Sequence, residues 1–149
     1  MPPDPSIAEA DHIEHASCVA WDGRALLVRG AAGQGKSTLA LTLMGYGAVL
    51  VSDDRTRLWR HGATIMADAP DTLRGLIEAR GLGILNATPA GPTRVVAAVD
   101  LDQPERDRLP HTRQVDLLGV ALPLLNMGGA PHLAPALLQY LKAGRRDDL

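Results

Sequence analysis

The sequence predicts an α/β domain in which a β-strand, a glycine-rich loop and an α-helix follow one another. An apolar run at 25–28 leads into the glycines of residues 30–35, and a pattern typical of a helix follows at about 36–44. The run 94–101 is β-branched and apolar on both faces, as buried strands of α/β sheets are. Strands that alternate with helices around such a loop indicate the α/β class.

Turn residues and apolar spacing predict the other elements. Asp22-Gly23 predicts a two-residue hairpin turn, because glycine tolerates positive φ angles, and His61-Gly62 predicts a second hairpin. Two prolines and a glycine predict a loop at 88–93, and two prolines among charged residues predict a second loop at 102–111. Charged surface loops such as 102–111 often carry function. The predicted strands are 17–21, 25–28, 49–51, 56–59, 63–66, 94–101, 115–118 and 120–125, and the predicted helices are 36–44, a short one within 70–76, and 131–143.

Composition sets the number of domains and the nature of the core. A chain of 149 residues, 46% of them hydrophobic, predicts one domain with a sizeable core. Only 3% of the residues are aromatic and none is phenylalanine, so the core is expected to be aliphatic. We expect residues 1–14, with three prolines, to form a flexible leader, residues 15–144 the domain, and residues 145–149 a charged tail.

Charge and cysteine content argue against several classes of protein. The formal net charge of −2 does not favour a nucleic-acid partner, which demands basic surface. No run approaches eighteen apolar residues, so no membrane span is expected, and the first residues lack the pattern of a signal peptide. The single cysteine, Cys18, excludes an intrachain disulfide and fits a reducing compartment. These observations predict a cytoplasmic protein.

Residues 30–37 match the P-loop motif G-x-x-x-x-G-K-[ST] throughout. Glycines allow successive backbone N–H groups to approach phosphate oxygens, and the N-terminus of the following helix adds further donors. Lys36 has the reach for the β- and γ-phosphates, and the small Ser37 hydroxyl can coordinate Mg²⁺. The predicted nucleotide-binding residues are Gly30, Ala31, Ala32, Gly33, Gln34, Gly35, Lys36, Ser37 and Thr38.

Two aspartates, Asp53 and Asp54, follow the apolar strand that comes after the P-loop helix. Carboxylates at strand ends in α/β folds point into the ligand crevice. One carboxylate could hold Mg²⁺ or its waters while the other accepts a proton from an attacking hydroxyl, and the sequence does not decide which does which. The alternative is a turn-forming pair of aspartates with no chemical role.

For the other candidate residues, taken alone, the structural explanation outweighs the functional one. In the stretch 78–83, Glu78 could bind metal, Arg80 could contact a transferred phosphate, and Gly81 could let the backbone approach a substrate. The alternative for this stretch is a salt-bridged helix end with a glycine stop. His15, taken alone, is more often a surface or capping residue than a functional one, and Arg108 is more often solvated than functional.

Taken together, these motifs resemble HPr kinase/phosphorylase. His15-Ala16, the P-loop, the V-S-D-D-R stretch at 51–55 and the I-E-A-R-G-L-G-I stretch at 77–84 stand in the family's order, and the match runs from about residue 15 to 143. The resemblance implies a P-loop kinase domain related to phosphoenolpyruvate carboxykinase, with a mixed β-sheet and flanking helices. Family members usually carry an additional N-terminal domain, so this chain is expected to represent a short, single-domain form.

The resemblance also implies roles for individual residues. Catalytic roles fall on Asp53, Asp54, His15, Lys36 and Arg108, with one aspartate as the base that deprotonates a serine. Ser37 and Glu78 are the implied Mg²⁺ ligands, and Arg80 with Gly81 the implied substrate and phosphate contacts. Thr38 stands where many members have glutamate, and the segments 86–94 and after Arg108 are shorter than usual.

The implied activity is ATP- and Mg²⁺-dependent phosphorylation of a serine of the phosphocarrier protein HPr, which regulates the phosphotransferase system. Reversal by phosphorolysis and a homo-oligomeric assembly are further expectations from the family. The alternative is a catalytically silent, nucleotide-sensing P-loop module. A GTPase ranks low, because no Asn-Lys-x-Asp guanine-reading sequence is present.

Overall fold

The computed structural model describes residues 12–130 and 133–146. These residues form two α-helices, eleven β-strands and a short 3₁₀ helix at Asp71–Leu73. The helices are α1 (Lys36–Gly45) and α2 (Leu133–Ala143). The strands are β1 (His12–Glu14), β2 (Ala16–Trp21), β3 (Arg24–Arg29), β4 (Val49–Ser52), β5 (Thr56–His61), β6 (Thr64–Asp68), β7 (Leu76–Ala79), β8 (Gly83–Asn86), β9 (Thr93–Asp100), β10 (Arg113–Leu117) and β11 (Val120–Asn126).

Nine of these strands form one mixed sheet, and seven of the nine follow the order β1-β5-β6-β9-β3-β2-β4. β9 is parallel to β3 on one side. On its other side β9 pairs antiparallel with β6 at its start and parallel with β11 at its end, and β11 in turn pairs with β10. β7 and β8 form a separate antiparallel hairpin. The prediction of an α/β domain with a mixed sheet and flanking helices is therefore confirmed.

The core lies on both faces of the sheet, because alternate residues of a strand point to opposite faces. In β3, Leu26 and Val28 join a cluster with residues of α1 and α2, whereas Leu27 joins a second cluster. The second cluster contains only strand residues, so the sheet curls and its strands cover one another. The core is aliphatic as predicted, with the addition of Trp59, which is almost fully buried.

The local structure agrees with the predicted hairpin turn and differs from the predictions at 70–76 and at the start of the chain. The Asp22-Gly23 turn is present, with both residues at positive φ. The helix predicted within 70–76 is only the three-residue 3₁₀ helix, and β7 begins at Leu76. His12–Glu14, which fell within the expected flexible leader, pairs with β5 and is a strand of the sheet. Residues 1–11, 131–132 and 147–149 lie outside the described residues, and with them the rest of that leader, the start of the predicted final helix and the end of the predicted tail.

Neither helix of the described residues is long and apolar enough to cross a membrane. Cys18 is a fully buried free thiol in β2. Burial, with a smaller effect of the Asp68 charge, raises the pKa of this thiol, so it stays protonated and unreactive within the core.

The parallel strands place the P-loop at one edge of the sheet. β3, β9 and β11 end side by side, and backbone hydrogen bonds continue between the chains just past the strands. The Leu101 N–H donates to the Arg29 carbonyl oxygen at 2.9 Å, and the Met127 N–H donates to the Asp100 carbonyl oxygen at 2.9 Å. The chain then leaves β3 directly into residue 30. This is the edge at which ligands of open α/β sheets bind.

Candidate nucleotide site at the P-loop

The P-loop turns from β3 into α1 in a backbone shape that needs glycine. Gly33 and Gly35 have φ angles of 86° and 93°, in the left-handed region that is costly for residues with a Cβ. Gly35 is the N-cap of α1, and no side chain caps the helix there. The N–H groups of the first helical turn are therefore available to an anion, and the helix dipole favours negative charge at this point.

Lys36, the first residue of α1, folds back over the start of the loop. Its Nζ donates to Gly30 O at 2.7 Å and to Ala31 O at 3.3 Å, and the residue is only 8% exposed. An ammonium group is thus held beside the loop's backbone donors. Such an arrangement attracts a polyphosphate and disfavours a neutral ligand.

Asp53 lies at the end of β4 and is nearly buried, with 7% of its surface exposed. One carboxylate oxygen accepts from Ser37 Oγ at 2.5 Å and Ser17 Oγ at 2.9 Å. The other accepts from the Glu78 backbone N–H at 3.0 Å. Through these hydrogen bonds Asp53 links three elements, which are α1, β2 and the β7–β8 hairpin.

Asp54 is in a different environment although it is the next residue. It is exposed, its φ is 66°, and its backbone N–H donates to Ser17 Oγ at 3.2 Å. Within residues 12–130 and 133–146, no hydrogen bond or ion pair holds its carboxylate. The backbone is fixed and the carboxylate remains available, which suits a group that contacts a ligand.

The β7–β8 hairpin forms the wall opposite the P-loop. Glu78 and Arg80 line it, and Gly81 lies in the turn with a φ of 85°. The alternative of a helix end at this stretch is wrong: glycine marks a helix stop and a hairpin turn equally well, and the pairing of β7 with β8 decides between them. The cleft encloses about 280 Å³ and is lined by Ala32, Gly33, Gly35, Lys36, Ser37, Thr38, Asp54, Glu78 and Arg80.

A second cavity, which we call the apolar groove, adjoins this cleft. It encloses about 570 Å³ and shares Asp54 and Glu78 with the cleft. Its remaining lining residues are mainly apolar, and they are Ile13, Asp53, Arg55, Pro70, Thr72, Leu73, Leu76, Ile77 and Ile84. The two carboxylates therefore lie at the boundary between the P-loop cleft, which also contains the cations Lys36 and Arg80, and the apolar groove.

The structure brings most of the predicted site residues together, and two lie apart. His15 is exposed in the bend between β1 and β2, and Arg108 is exposed on the loop between β9 and β10; neither lines the cleft. Arg113 at the end of that loop donates two hydrogen bonds to Glu105, at 2.9 Å each, which lower the pKa of Glu105 to about 2. This ion pair ties the loop that carries Arg108 to the start of β10.

Sequence reasoning missed two residues that contact the site. The Ser17 hydroxyl donates a hydrogen bond to the Asp53 carboxylate and accepts one from the Asp54 N–H. The sequence feature that could have indicated this role is a hydroxyl within an otherwise apolar strand. The Asp102 carboxylate accepts a hydrogen bond from the Ala31 N–H of the P-loop. Its signal was the one used for Asp53, an aspartate that follows a buried strand at the ligand edge.

The oxygen atoms beside the P-loop suit Mg²⁺. No group of three or more His, Cys, Asp or Glu side chains in the described residues forms a metal cage. Mg²⁺ usually binds through one or two carboxylates, a hydroxyl, waters and the phosphates of a substrate. The Ser37 hydroxyl, hydrogen bonded to Asp53, with Glu78 across the cleft, provides donors of this kind.

A strand, a complete G-x-x-x-x-G-K-S loop, a helix and an acidic strand end beside that loop define a P-loop domain. The sequence profile of the family described as HPr Serine kinase C-terminal domain matches residues 6–101. The chain therefore belongs to the HPr serine kinase C-terminal domain family, and the resemblance drawn from the motifs is confirmed.

Relatives with curated names agree with this assignment. HPr kinase/phosphorylase of Caldicellulosiruptor bescii is 33% identical over 124 residues, which cover 74% of this chain and 40% of that protein. HPr kinase/phosphorylase of Azoarcus sp. is 37% identical over 119 residues, which cover 70% of this chain and 38% of that protein. The matched region thus spans about 40% of these relatives.

A solved structure has the same fold. The structure titled Hpr(Ser) kinase/phosphatase from Coxiella burnetii superposes with a TM-score of 0.75 and 24% sequence identity, and the match covers 88% of each chain. At this identity the comparison concerns the fold.

Proposed function

We propose that this domain transfers the γ-phosphoryl group of ATP, in the presence of Mg²⁺, to a serine of the phosphocarrier protein HPr. One observation carries the proposal: the exposed carboxylate of Asp54 faces the same cleft as the P-loop, Lys36 and Ser37. Phosphoryl transfer needs phosphate binding and a proton acceptor within one small site. The names of the two relatives supply the identity of the acceptor.

The phosphate-binding part of the site acts by position and charge. The backbone N–H groups of the P-loop and the Lys36 ammonium hold the β- and γ-phosphates, and Arg80 neutralises charge on the transferred group from the opposite wall. Mg²⁺ held by Ser37 and Glu78 would supply further charge neutralisation. Asp53 orients the Ser37 hydroxyl through their 2.5 Å hydrogen bond.

We assign the role of base to Asp54 and a structural role to Asp53. Three of the roughly four lone-pair sites of the Asp53 carboxylate already accept hydrogen bonds from donors fixed in three elements. Asp53 is also nearly buried, so it is less accessible to a substrate hydroxyl than the exposed Asp54. Asp54 has an available carboxylate at the boundary of cleft and groove. It accepts the proton of the serine hydroxyl as that oxygen attacks the γ-phosphorus, and it returns the proton to the serine oxygen in phosphorolysis.

The apolar groove receives the chain that flanks the acceptor serine. It reaches Asp54 from the side away from the P-loop, so a hydroxyl presented from the groove meets both the base and the γ-phosphate. His15 and Arg108, which are exposed and outside the cleft, are placed to contact a docked protein more readily than a nucleotide.

Replacement of Ile84 by serine tests the groove. Ile84 is 63% exposed, so the fold should tolerate the change, while loss of apolar contact weakens docking of the acceptor. We expect the KM for HPr to rise by about fivefold, with the Kd for ATP unchanged. Leu118→Ser, an exposed apolar residue in the β10–β11 turn, is the matched control and should change neither constant. An unchanged KM for HPr in Ile84→Ser would contradict the groove assignment.

The function itself is tested with purified HPr, ATP labelled at the γ-phosphate, and Mg²⁺. We expect label on wild-type HPr and none on an HPr variant whose acceptor serine is alanine. Addition of inorganic phosphate and unlabelled phosphoprotein then tests the reverse reaction. A protein that binds ATP and leaves HPr unlabelled would be a nucleotide sensor, and the kinase proposal would be wrong.

A further inference from the structure

Asp102 contacts the P-loop from the neighbouring strand. It follows β9 at the edge of the sheet from which the P-loop departs, and both of its carboxylate oxygens lie 3.0 Å from the Ala31 nitrogen. The residue is exposed, so the contact is no part of the core. The roles proposed above make no use of this carboxylate.

The peptide unit between Gly30 and Ala31 is held at both of its polar atoms. Its carbonyl oxygen accepts from Lys36 Nζ at 2.7 Å, and its N–H donates to Asp102. Because a peptide unit is planar, its N–H and its carbonyl turn together. A carboxylate that fixes the N–H therefore also fixes the direction of the carbonyl that Lys36 contacts.

The Asp102 backbone is itself well anchored. Its N–H donates to Asp100 Oδ1 at 2.8 Å, and Gly128 N donates to Gln103 O at 2.9 Å. Gly128 packs closely against this segment, since a Cβ there would lie 2.8 Å from the Leu101 carbonyl oxygen. The backbone that carries the Asp102 carboxylate is therefore fixed by hydrogen bonds and close packing, which a residue that positions another group requires.

We propose that Asp102 is a positioning residue that orients Lys36 through the Gly30–Ala31 peptide. The proposal rests on the proposed function in so far as Lys36 serves to bind nucleotide phosphates. A carboxylate near bound phosphates also repels them. The two effects have opposite signs: loss of positioning weakens ATP binding, and loss of repulsion strengthens it.

Lysine-selective ¹³C labelling of the full chain measures the effect directly, because lysine occurs only at positions 36 and 142. In the nucleotide-free protein, Asp102→Ala is expected to shift or broaden the Lys36 ε-CH₂ signal. It is also expected to weaken ATP binding about threefold to tenfold in calorimetry. Asp102→Asn keeps an acceptor oxygen and should restore most of both properties.

Two controls separate positioning from a general structural effect. Asp116→Ala also removes a carboxylate that accepts a backbone N–H, from Gly119 at 2.9 Å, and should leave both lysine signals unchanged. Lys142 Nζ lies 4.5 Å from the centroid of the Trp21 ring, away from the P-loop, so its signal should stay constant in every variant. Thermal unfolding of each variant establishes that it is folded.

The proposal is overturned if Asp102→Ala leaves the Lys36 signal in place, or if it binds ATP as tightly as wild type or more tightly. An Asn variant as impaired as the Ala variant would also overturn it, because an acceptor oxygen would then not suffice. The Lys36 signal is read without any phosphoryl acceptor. A chain inactive toward HPr would therefore contradict the proposed function and leave this test unaffected.

Discussion

Lys36→Ala is expected to weaken ATP binding by at least about a hundredfold and to remove phosphoryl transfer. The ammonium is nearly buried against the start of the P-loop, and no other lysine or arginine lining the cleft lies on the P-loop side. Its loss leaves the triphosphate facing Asp54 and Glu78 with one compensating cation fewer. Isothermal titration with ATP and Mg²⁺ and the labelled-phosphate assay measure the two effects.

Lys142→Ala is the matched control, because it removes the other lysine of the chain, which lies over the Trp21 ring and outside the cleft. We expect wild-type ATP binding and transfer from this variant. Lys36→Arg should not rescue the activity, since the wider guanidinium does not fit the space that a compact ammonium occupies at Gly30 O. ATP binding in Lys36→Ala equal to that of wild type would exclude this cleft as the nucleotide site.

The features that sequence predicts well here are encoded by neighbouring residues. The P-loop and the Asp22-Gly23 turn are continuous stretches in which glycine supplies the backbone angles, and the structure has both. The strand 94–101 is predicted by its own apolar run and agrees with β9. In these cases the physical cause lies within a few residues, so a single sequence contains it.

The features that sequence does not predict depend on residues far apart in the chain. Ser17 and Asp53 are 36 positions apart, and Ala31 and Asp102 are 71 apart. Only the side-by-side ends of the strands bring these groups into contact, and spacing along the chain carries no sign of it. The short strand β1 was missed for the same reason, because it is defined by pairing with β5.

The two aspartates show this limit most clearly. Sequence treats Asp53 and Asp54 as equivalent members of an acidic pair, whereas the fold buries one and exposes the other. The difference arises from the donors around Asp53, which come from Ser17, Ser37 and the backbone of Glu78. The assignment of a base therefore becomes possible only when three separate elements are in place.

Asp54→Asn is the second prediction with a large expected effect. Removal of the proton acceptor should lower the rate of transfer to HPr by about 10²- to 10⁴-fold, while the Kd for ATP changes little. Asparagine tolerates positive φ, so the backbone at 66° is retained and the melting temperature should stay close to that of wild type. Asp22→Asn, also exposed and at positive φ, is the matched control and should keep full activity.

Asp53→Asn is expected to behave differently, and the contrast tests the assignment of roles. An asparagine in this nearly buried site either turns its NH₂ group toward the Glu78 N–H, where a donor faces a donor, or turns it toward the two serine hydroxyls, which must then rotate and give up the acceptor that they now have. We expect a loss of stability of about 1–3 kcal/mol in urea unfolding, together with weaker Mg²⁺-dependent ATP binding. If Asp54→Asn still phosphorylates HPr, and Asp53→Asn loses transfer without losing stability, then Asp53 is the base and the roles are reversed.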